Sequence, residues 1–251
     1  MATKFPTLTK DITILHSLTT NFKIMNLKKI FLLSASSIAL CACNQDDERV
    51  YSCDKTINKW VSNHLAEIHQ MDRNDWLKTN QSISRAVYSA FTPNQKLSFW
   101  KEKFIELKNI AWSEEELAHI KKVESFVLTN KDLFEDTKLT DDQLDVLDSF
   151  FYKWVKEAEN NLGWDKAMCI AIAGSGNTVI NRKGELRALP TNSGGNVMSA
   201  STEAGCNCNT SVLSDFCGVA GPGGCEDTNC DGSDFGCGWI WVQDCNGTCP
   251  L

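Results

Sequence analysis

The residues of this 251-residue chain that could do chemistry are mostly cysteines near its C-terminal end. Eight of the twelve follow the spacing C-x-C-x8-C-x7-C-x4-C-x6-C-x7-C-x3-C: Cys206, Cys208, Cys217, Cys225, Cys230, Cys237, Cys245 and Cys249. The segment is rich in glycine and poor in apolar side chains, so it has little material for a core of its own. We expect disulfide bonds, each worth about 2–4 kcal/mol, to stabilise it, and the spacing leaves their pairing open.

Three oxygen-bearing residues in the same segment form a candidate calcium site: Asp227, Asn229 and Asp231. With Gly232 they match the first half of a calcium-binding loop, but Gly238 stands where such a loop has a glutamate. The turn preferences of Asp, Asn and Gly explain the same residues. The sequence therefore predicts no metal or cofactor, and these three residues remain the weak alternative.

An export signal precedes the rest of the chain. Lys28 and Lys29 form a basic start, and residues 30–42 are mostly apolar but fewer than the roughly 20 that a membrane-spanning helix needs. The segment ends Leu40-Cys41-Ala42-Cys43, which resembles the bacterial lipobox. We predict lipid on Cys43, because the small Ala42 precedes it whereas the bulky Leu40 precedes Cys41. An ordinary cleaved signal peptide without lipid is the alternative.

These features divide the N-terminal part of the chain. Residues 1–24 match no class, so translation is expected to start at Met25, with a signal peptide over 25–42 and an acidic tether over 43–55. The acidic tether resembles the surface-export tag of some lipoproteins, and a solvated spacer explains it equally well. We expect a cell-envelope lipoprotein at the outer membrane or cell surface. Its partner would be the membrane, to which acyl chains such as palmitate anchor it.

Export also predicts the state of the cysteines. Outside the cytoplasm thiols form disulfides, which disfavours an all-cysteine zinc site. Cys53 and Cys169 are the two cysteines left between the signal and the tail, and we predict a bond between them. The net charge of −7, with 25 basic against 32 acidic residues, argues against a nucleic-acid partner.

Residues 56–165 predict a domain of five helices. Apolar stripes indicate the first helix at 57–68 and the second at 74–90. Thr92-Pro93 and the capping boxes at Ser113 and Thr140 start the other three, and Gly163 ends the last. His64 lies on the apolar stripe and is interpreted as a core or boundary residue. The chain has no phosphate-binding loop or dinucleotide fingerprint and no triad in a matching context, so we expect no enzyme.

The remaining regions are predicted to be less regular. Residues 166–205 indicate a linker with a short hairpin about Arg182-Lys183-Gly184, and 238–242 has the composition of a strand. The fold class is therefore mainly α: a helical domain of about five helices, a linker, and a disulfide-rich, Gly-rich module over 206–251 with little regular structure or short β.

The two ends of the cysteine-rich module resemble a known family. Cys206-Asn-Cys208 and Cys237-Gly-Trp-Ile-Trp-Val-Gln-Asp-Cys245-Asn-Gly are similar to the fulvocin C type of bacteriocin, and larger lipoprotein-like chains with such a tail are bacteriocin fulvocin C-related proteins. The likeness covers residues 206–251. It implies secretion and killing of related bacteria, and it supplies no catalytic residues.

The tail departs from membrane-active bacteriocins in its charge. Residues 206–251 contain six acids and no Lys, Arg or His, so attraction to anionic lipid is implausible. Toxicity would then need a receptor on the target cell, contacted through Trp239 or Trp241. The alternative is that both tryptophans form the core of the tail. Two functions remain open: an antibacterial lipoprotein, or a non-toxic surface lipoprotein whose tail is a recognition or structural module.

Overall fold

Helices dominate the part of the chain that the computed structural model describes, which is residues 49–191, 197–198, 207–209, 226–227 and 235–248. These residues all belong to one compact unit, Asp47–Leu251. The helices are α1 Lys55–Asn63, α2 Leu65–Ile68, α3 Arg73–Trp76, α4 Gln81–Ser89, α5 Pro93–Leu107, α6 Glu114–Thr129, α7 Asp141–Glu157 and α8 Lys166–Ala173. A 3-10 turn, Lys131–Phe134, follows α6, and a π-helical turn, Ala158–Leu162, follows α7. The predicted mainly α class is confirmed.

The three longest helices begin at the predicted residues. Thr92, Ser113 and Thr140 are the N-caps of α5, α6 and α7, and each forms a reciprocal capping box with the residue three positions on. The hydroxyl satisfies a backbone amide that has no partner inside the helix, while the Gln or Glu side chain satisfies the amide of the cap residue. Gly163 ends the π-helical turn in the left-handed conformation, with φ of 65°.

The first two predicted helices are each interrupted. His64 separates α1 from α2, because its Nδ1 lies 2.7 Å from the Trp60 carbonyl oxygen that a continuous helix would pair with the backbone of residue 64. Asn80 starts α4 as a new N-cap, its side chain accepting from the amide of Ser82. Local side-chain bonds therefore compete with the helix at both breaks.

Helix α8 occupies the start of the predicted linker, and this part of the prediction is wrong. Residues from Met168 to Ala173 are all buried. A helix enclosed on every side has no polar face, so it shows no apolar stripe of helical period in the sequence. The short hairpin after it is confirmed: Val179 pairs with Leu186, and Gly184 has a φ of 73° in its turn.

Short antiparallel strands account for the β-structure among the described residues. Strand β1 (Leu186–Arg187) pairs with β2 (Val197–Met198). In the tail, β5 (Gly247–Thr248) lies between β3 (Asn207–Cys208) and β4 (Glu226–Asp227). The described helices are all too short or too polar to cross a membrane.

One core joins the helices to the end of the tail. It contains residues from α1 to α8 together with Trp239, Ile240, Trp241 and Val242. The described end of the tail is thus part of the helical core, although the sequence predicts a separate module.

Candidate functional site

A small ring at the end of the tail is the most unusual feature of the described structure. A disulfide joins Cys237 to Cys245, and the Cys237 and Gln243 backbones exchange hydrogen bonds of 3.2 and 3.1 Å. Between them a 3-10 turn, Trp239–Trp241, reverses the chain. The predicted strand at 238–242 is therefore wrong. We call residues 235–245 the tail loop.

The tail loop contains backbone conformations that side chains disfavour. Ile240 and Trp241 have φ angles of 46° and 54°, and the Gly238 before them has a φ of 70°. A left-handed conformation costs an L-residue about 1–2 kcal/mol, and more for a β-branched side chain such as isoleucine. Burial of the surrounding side chains and the disulfide must offset this cost.

The tail loop sits in a pocket of the helical part that we call the socket. Aromatic, basic and hydroxyl side chains of the helices and two glycines of the loop after α8 contact the tail loop there: Trp76, Arg85, Tyr88, Ser89, Lys96, Phe99, Trp100, Phe151, Trp154, Gly174 and Gly176. Many of the lining residues are far from the tail loop in sequence, and Tyr88 and Ile240, for example, are 152 positions apart.

Trp241 occupies the centre of the socket and is only 1% exposed. Its ring centroid lies 5.0 Å from that of Tyr88, 5.5 Å from Trp76 and 5.8 Å from both Phe99 and Trp100. Most of these pairs are tilted or edge-to-face, the arrangements that aromatic quadrupoles favour. This one side chain therefore links α3, α4 and α5 to the tail.

The loop after α8 fits closely around the indole of Trp241. The indole Nε1 donates to the carbonyl oxygen of Gly174 over 2.8 Å. At Gly176, a Cβ atom would lie 2.6 Å from ring atoms of both Trp241 and Phe99. Only glycine fits here, so the Gly174-Ser175-Gly176 sequence is explained by packing.

Trp239 fills a second part of the socket. Its ring stacks on Phe151 of α7 with 4.7 Å between centroids and 7° between planes, and it meets Trp154 edge-on at 6.1 Å. The side chain is 4% exposed. The two tryptophans of the tail loop thus contact different helices, Trp241 those from α3 to α5 and Trp239 helix α7.

Basic side chains of the helices face the tail loop, which has none. The Arg85 guanidinium lies 4.4 Å from the ring centroid of Trp241 and donates to the Gly236 carbonyl oxygen over 2.6 Å. The Lys96 ammonium lies 3.6 Å from the ring centroid of Phe235 and pairs with Asp136 at 3.3 Å. Cations over desolvated aromatic faces are attracted by about 2 kcal/mol. The charge distribution of helices and tail is complementary.

Two hydroxyl groups of α4 bind the tail backbone. Ser89 Oγ donates to the Phe235 carbonyl oxygen over 2.5 Å, and Tyr88 Oη donates to that of Ile240 over 3.4 Å. Tyr88 Oη also accepts from Trp100 Nε1 over 3.0 Å. Burial raises the pKa of Tyr88 well above its ordinary value, so this hydroxyl remains a donor to the tail.

Buried cations hold the socket in shape. Lys103 is fully buried, and its ammonium donates to the carbonyl oxygens of Ala171 at 2.7 Å, Asn177 at 2.9 Å and Ser175. It thereby satisfies the C-terminal end of α8 and the loop after it, where a positive charge is favoured. Arg73 donates to Gly176 O over 2.9 Å and pairs with Glu106 at 2.5 Å.

The structure corrects two predictions for the site residues. Trp239 and Trp241 are buried in the socket and not at the surface, so a direct receptor contact through them is wrong for this conformation. The Cys53–Cys169 bond is also wrong: Cys169 is a free thiol inside α8, and Cys53 is disulfide-bonded to a different partner. Cys169 faces the core and is 0% exposed, whereas Cys53 is half-buried ahead of α1.

Some of the other predicted residues lie in the described part of the chain, and the rest lie outside it. Cys237 and Cys245 pair with each other, and Cys208 is disulfide-bonded. Asp227 lies in β4, and no cluster of three metal-binding side chains occurs among the described residues. Nine predicted positions lie outside those residues: Cys43, Cys206, Cys217, Cys225, Cys230, Cys249, Asn229, Asp231 and Gly232.

The histidines of the described part make structural contacts. His64 is half-buried and stacks on Trp60, as expected for a boundary residue. His119 stacks on Trp154 at 5.0 Å, and its Nε2 lies 3.0 Å from the Trp154 carbonyl oxygen. Burial lowers the pKa of His119, so the ring is neutral at pH 7.

Sequence reasoning missed most of the socket. Arg85, Lys96 and Lys103 lie in amphipathic helices, where basic residues are normally interpreted as solvated. The aromatic residues of the helices give a signal for a core but not for a socket, since a helical core alone explains Trp76, Phe99 and Trp100. Comparison of the chain with family models, with curated proteins and with solved structures gives no match.

Proposed function

We propose that this chain is a cell-envelope lipoprotein that keeps its cysteine-rich tail as a built-in part of its fold. In this role the tail is a recognition or structural module held at the membrane surface. The observation that carries the proposal is the burial of Trp241 among Trp76, Tyr88, Phe99 and Trp100. Removing the tail would expose these aromatic side chains to water.

The energetic argument favours retention of the tail. Fully burying a large apolar side chain contributes about 1.5–3 kcal/mol. The tail loop buries Phe235, Trp239, Ile240 and Trp241, each at most 4% exposed. Losing these contacts would remove an amount of free energy comparable to the whole stability of a typical domain, about 5–15 kcal/mol.

Further contacts tie the tail loop to the start of the tail. Strand β3 pairs with β5, and Asn209 Nδ2 donates to the Asp244 carbonyl oxygen over 2.8 Å. The described start of the tail, 207–209, is therefore held against the tail loop and against β5, so the contacts that retain the tail are not limited to the socket.

The envelope location is supported by the sequence and by the disulfide. Lipid on Cys43 follows from the lipobox-like Leu40-Cys41-Ala42-Cys43, and the Cys237–Cys245 bond suits an oxidising compartment. We propose a non-catalytic role, since the buried Lys103, His119 and Tyr88 are engaged in hydrogen bonds that stabilise the fold.

Intact mass spectrometry of the protein from membranes and from culture fluid tests the proposal. We expect one species in the membrane fraction that carries acyl chains on Cys43 and ends at Leu251. A Cys43→Ala variant should lose the acyl mass and leave the membrane. A tail peptide in the culture fluid, cut from a shortened membrane form, would contradict retention.

An antibacterial tail is the second candidate function. The observation that favours it is the tail loop itself, since the segment that resembles fulvocin C is also a disulfide-closed ring with two tryptophans. This candidate requires release of the tail and inhibition of neighbouring bacteria. Growth assays with culture fluid from a strain expressing the chain, against a strain expressing the Trp241→Ala variant, separate it from the first.

A further inference from the structure

We infer that the socket is a recognition site for the tail loop in its own right. It should hold the tail after the chain between them is cut, and it should accept the same tail from a second copy of the chain. The partner is a peptide with a nine-residue disulfide-closed ring, aromatic side chains at ring positions three and five, and no basic residue. The inference rests on the proposed function only in that the native chain keeps its tail folded against the helices.

The polar contacts between socket and tail loop support recognition of a ligand. Arg85, Tyr88 and Ser89 donate to the carbonyl oxygens of Gly236, Ile240 and Phe235, respectively. A fourth bond runs in the other direction, from the indole of Trp241 to Gly174. These contacts use the backbone carbonyl oxygens of the loop and the indole of Trp241, and none of them involves a cysteine sulfur. The disulfide-closed ring can therefore bind the socket as a preformed unit.

The disulfide reduces the conformational entropy that the loop loses when it binds. The Cys237–Cys245 bond restricts the loop before it meets the helices, including the left-handed Ile240 and Trp241. A ligand already held near its bound conformation loses less conformational freedom on binding. The ring should therefore bind without a peptide bond to the helical part.

Charge adds selectivity to the fit. The socket presents Arg85 to a tail loop that contains one acid, Asp244, and no basic residue. Lys96 lies over Phe235 and is paired with Asp136 of the helical part. A peptide with a lysine or arginine in the ring would bring like charges together in a desolvated site. The socket thus favours a tail of this composition over a cationic one.

The test uses the full chain with a protease site inserted between residues 202 and 203, in the stretch rich in Ser, Thr and Gly. It carries Cys53→Ser, because Cys53 is disulfide-bonded and could join the tail covalently to the helices. After cutting, size-exclusion chromatography without reductant reports whether the tail stays. We expect co-elution, and a tail that leaves at once would overturn the inference.

Two variants of the cut protein sharpen the result. Trp241→Ala should raise the dissociation constant of the tail at least about thirty-fold, as the loss of a buried aromatic anchor does. Trp60→Ala is the matched control, since Trp60 is half-buried and its ring stacks on His64, which is not a socket residue. Equal retention in both variants would show that the socket does not recognise the ring.

Exchange between copies is the decisive part. Isotopically labelled tail, separated from cut protein, is added to an excess of unlabelled cut protein, and mass spectrometry measures its uptake. We expect saturable uptake that an excess of unlabelled tail prevents, and no uptake would overturn the inference. Release of the tail in the cell would contradict the proposed function alone. Failure of the cut tail to bind would contradict this inference alone, because an uncut tail could still be retained by its peptide bond.

Discussion

The long helices and the tail loop reach their structures by different physical routes. Helices α5, α6 and α7 begin where local capping residues dictate, and their apolar faces follow the helical period. The tail loop contains left-handed residues and a disulfide, and it buries two tryptophans in a core supplied by other elements. Local sequence is sufficient for the first region, whereas the second depends on partners distant in the chain.

This difference leads to a ranking of mutational effects. Substitutions in the tail loop should destabilise the helices as well, because the two share one core. Substitutions that affect a helical surface should have little effect on the tail loop. The predictions below follow that ranking from the largest effect to the smallest.

Trp241→Ala should have the largest effect. Removing a fully buried indole costs about 3–5 kcal/mol, and here it also leaves Arg85 over an empty space and Gly174 without its donor. Urea denaturation followed by circular dichroism of the helices measures the loss. Trp60→Ala, at a half-buried position, should cost clearly less, and equal losses would contradict the central position of Trp241.

The Cys237→Ser and Cys245→Ser double variant should lose about 2–4 kcal/mol, towards the low end because the ring is short. Without the bond the unfolded loop is less restricted, so it loses more conformational entropy when it folds into the left-handed turn. Helix content should persist in buffer while the urea midpoint falls. An unchanged midpoint would show that the helices alone fix the tail loop.

Gly176→Ala should cost about 1–3 kcal/mol, because its new methyl group would overlap the rings of Trp241 and Phe99. Gly163→Ala is the matched control: nothing lies within 4 Å of its Cβ, so only the strain of its left-handed φ remains, at about 1 kcal/mol. Thermal unfolding of the pair compares them. A smaller loss at Gly176 would indicate that the loop after α8 can move away from the indole.

Cys169 distinguishes a thiol buried by helices from the paired cysteines of the tail loop. Burial raises its pKa to about 12, so it should not react with iodoacetamide at pH 8 in the folded protein but should react in urea without reductant. An unfolded thiol titrates near pH ~8.5, so this residue should favour folding fully below that pH. Its contribution is lost as the pH rises towards 12. Rapid alkylation of the native protein would contradict this placement.

The predictable parts of the molecule are those with local signals. The capping boxes at Ser113 and Thr140 and the left-handed Gly163 were identifiable because each acts within one helical turn. The short hairpin was identifiable from its Arg-Lys-Gly turn. In these places the structure is determined by interactions between residues a few positions apart, which the sequence shows directly.

The remaining parts could not be predicted because their partners are distant in sequence. Helix α8 is enclosed on all sides and has no polar face to reveal its period. Arg85 and Lys103 have the sequence context of surface residues. They are buried because they bind carbonyl groups of Gly236 and Ala171, which are distant in sequence. The composition of residues 238–242 indicates a strand, but the disulfide and the socket impose a turn.

Hydrogen exchange of the full chain tests most directly whether the tail loop and the helices form one core. Mass spectrometry of peptic peptides at increasing urea concentrations compares the amides of residues 235–245 with those of α4 and α5. We predict that both lose protection together, with the same dependence on urea. Complete exchange of the tail loop in buffer, while α4 and α5 stay protected, would contradict the account.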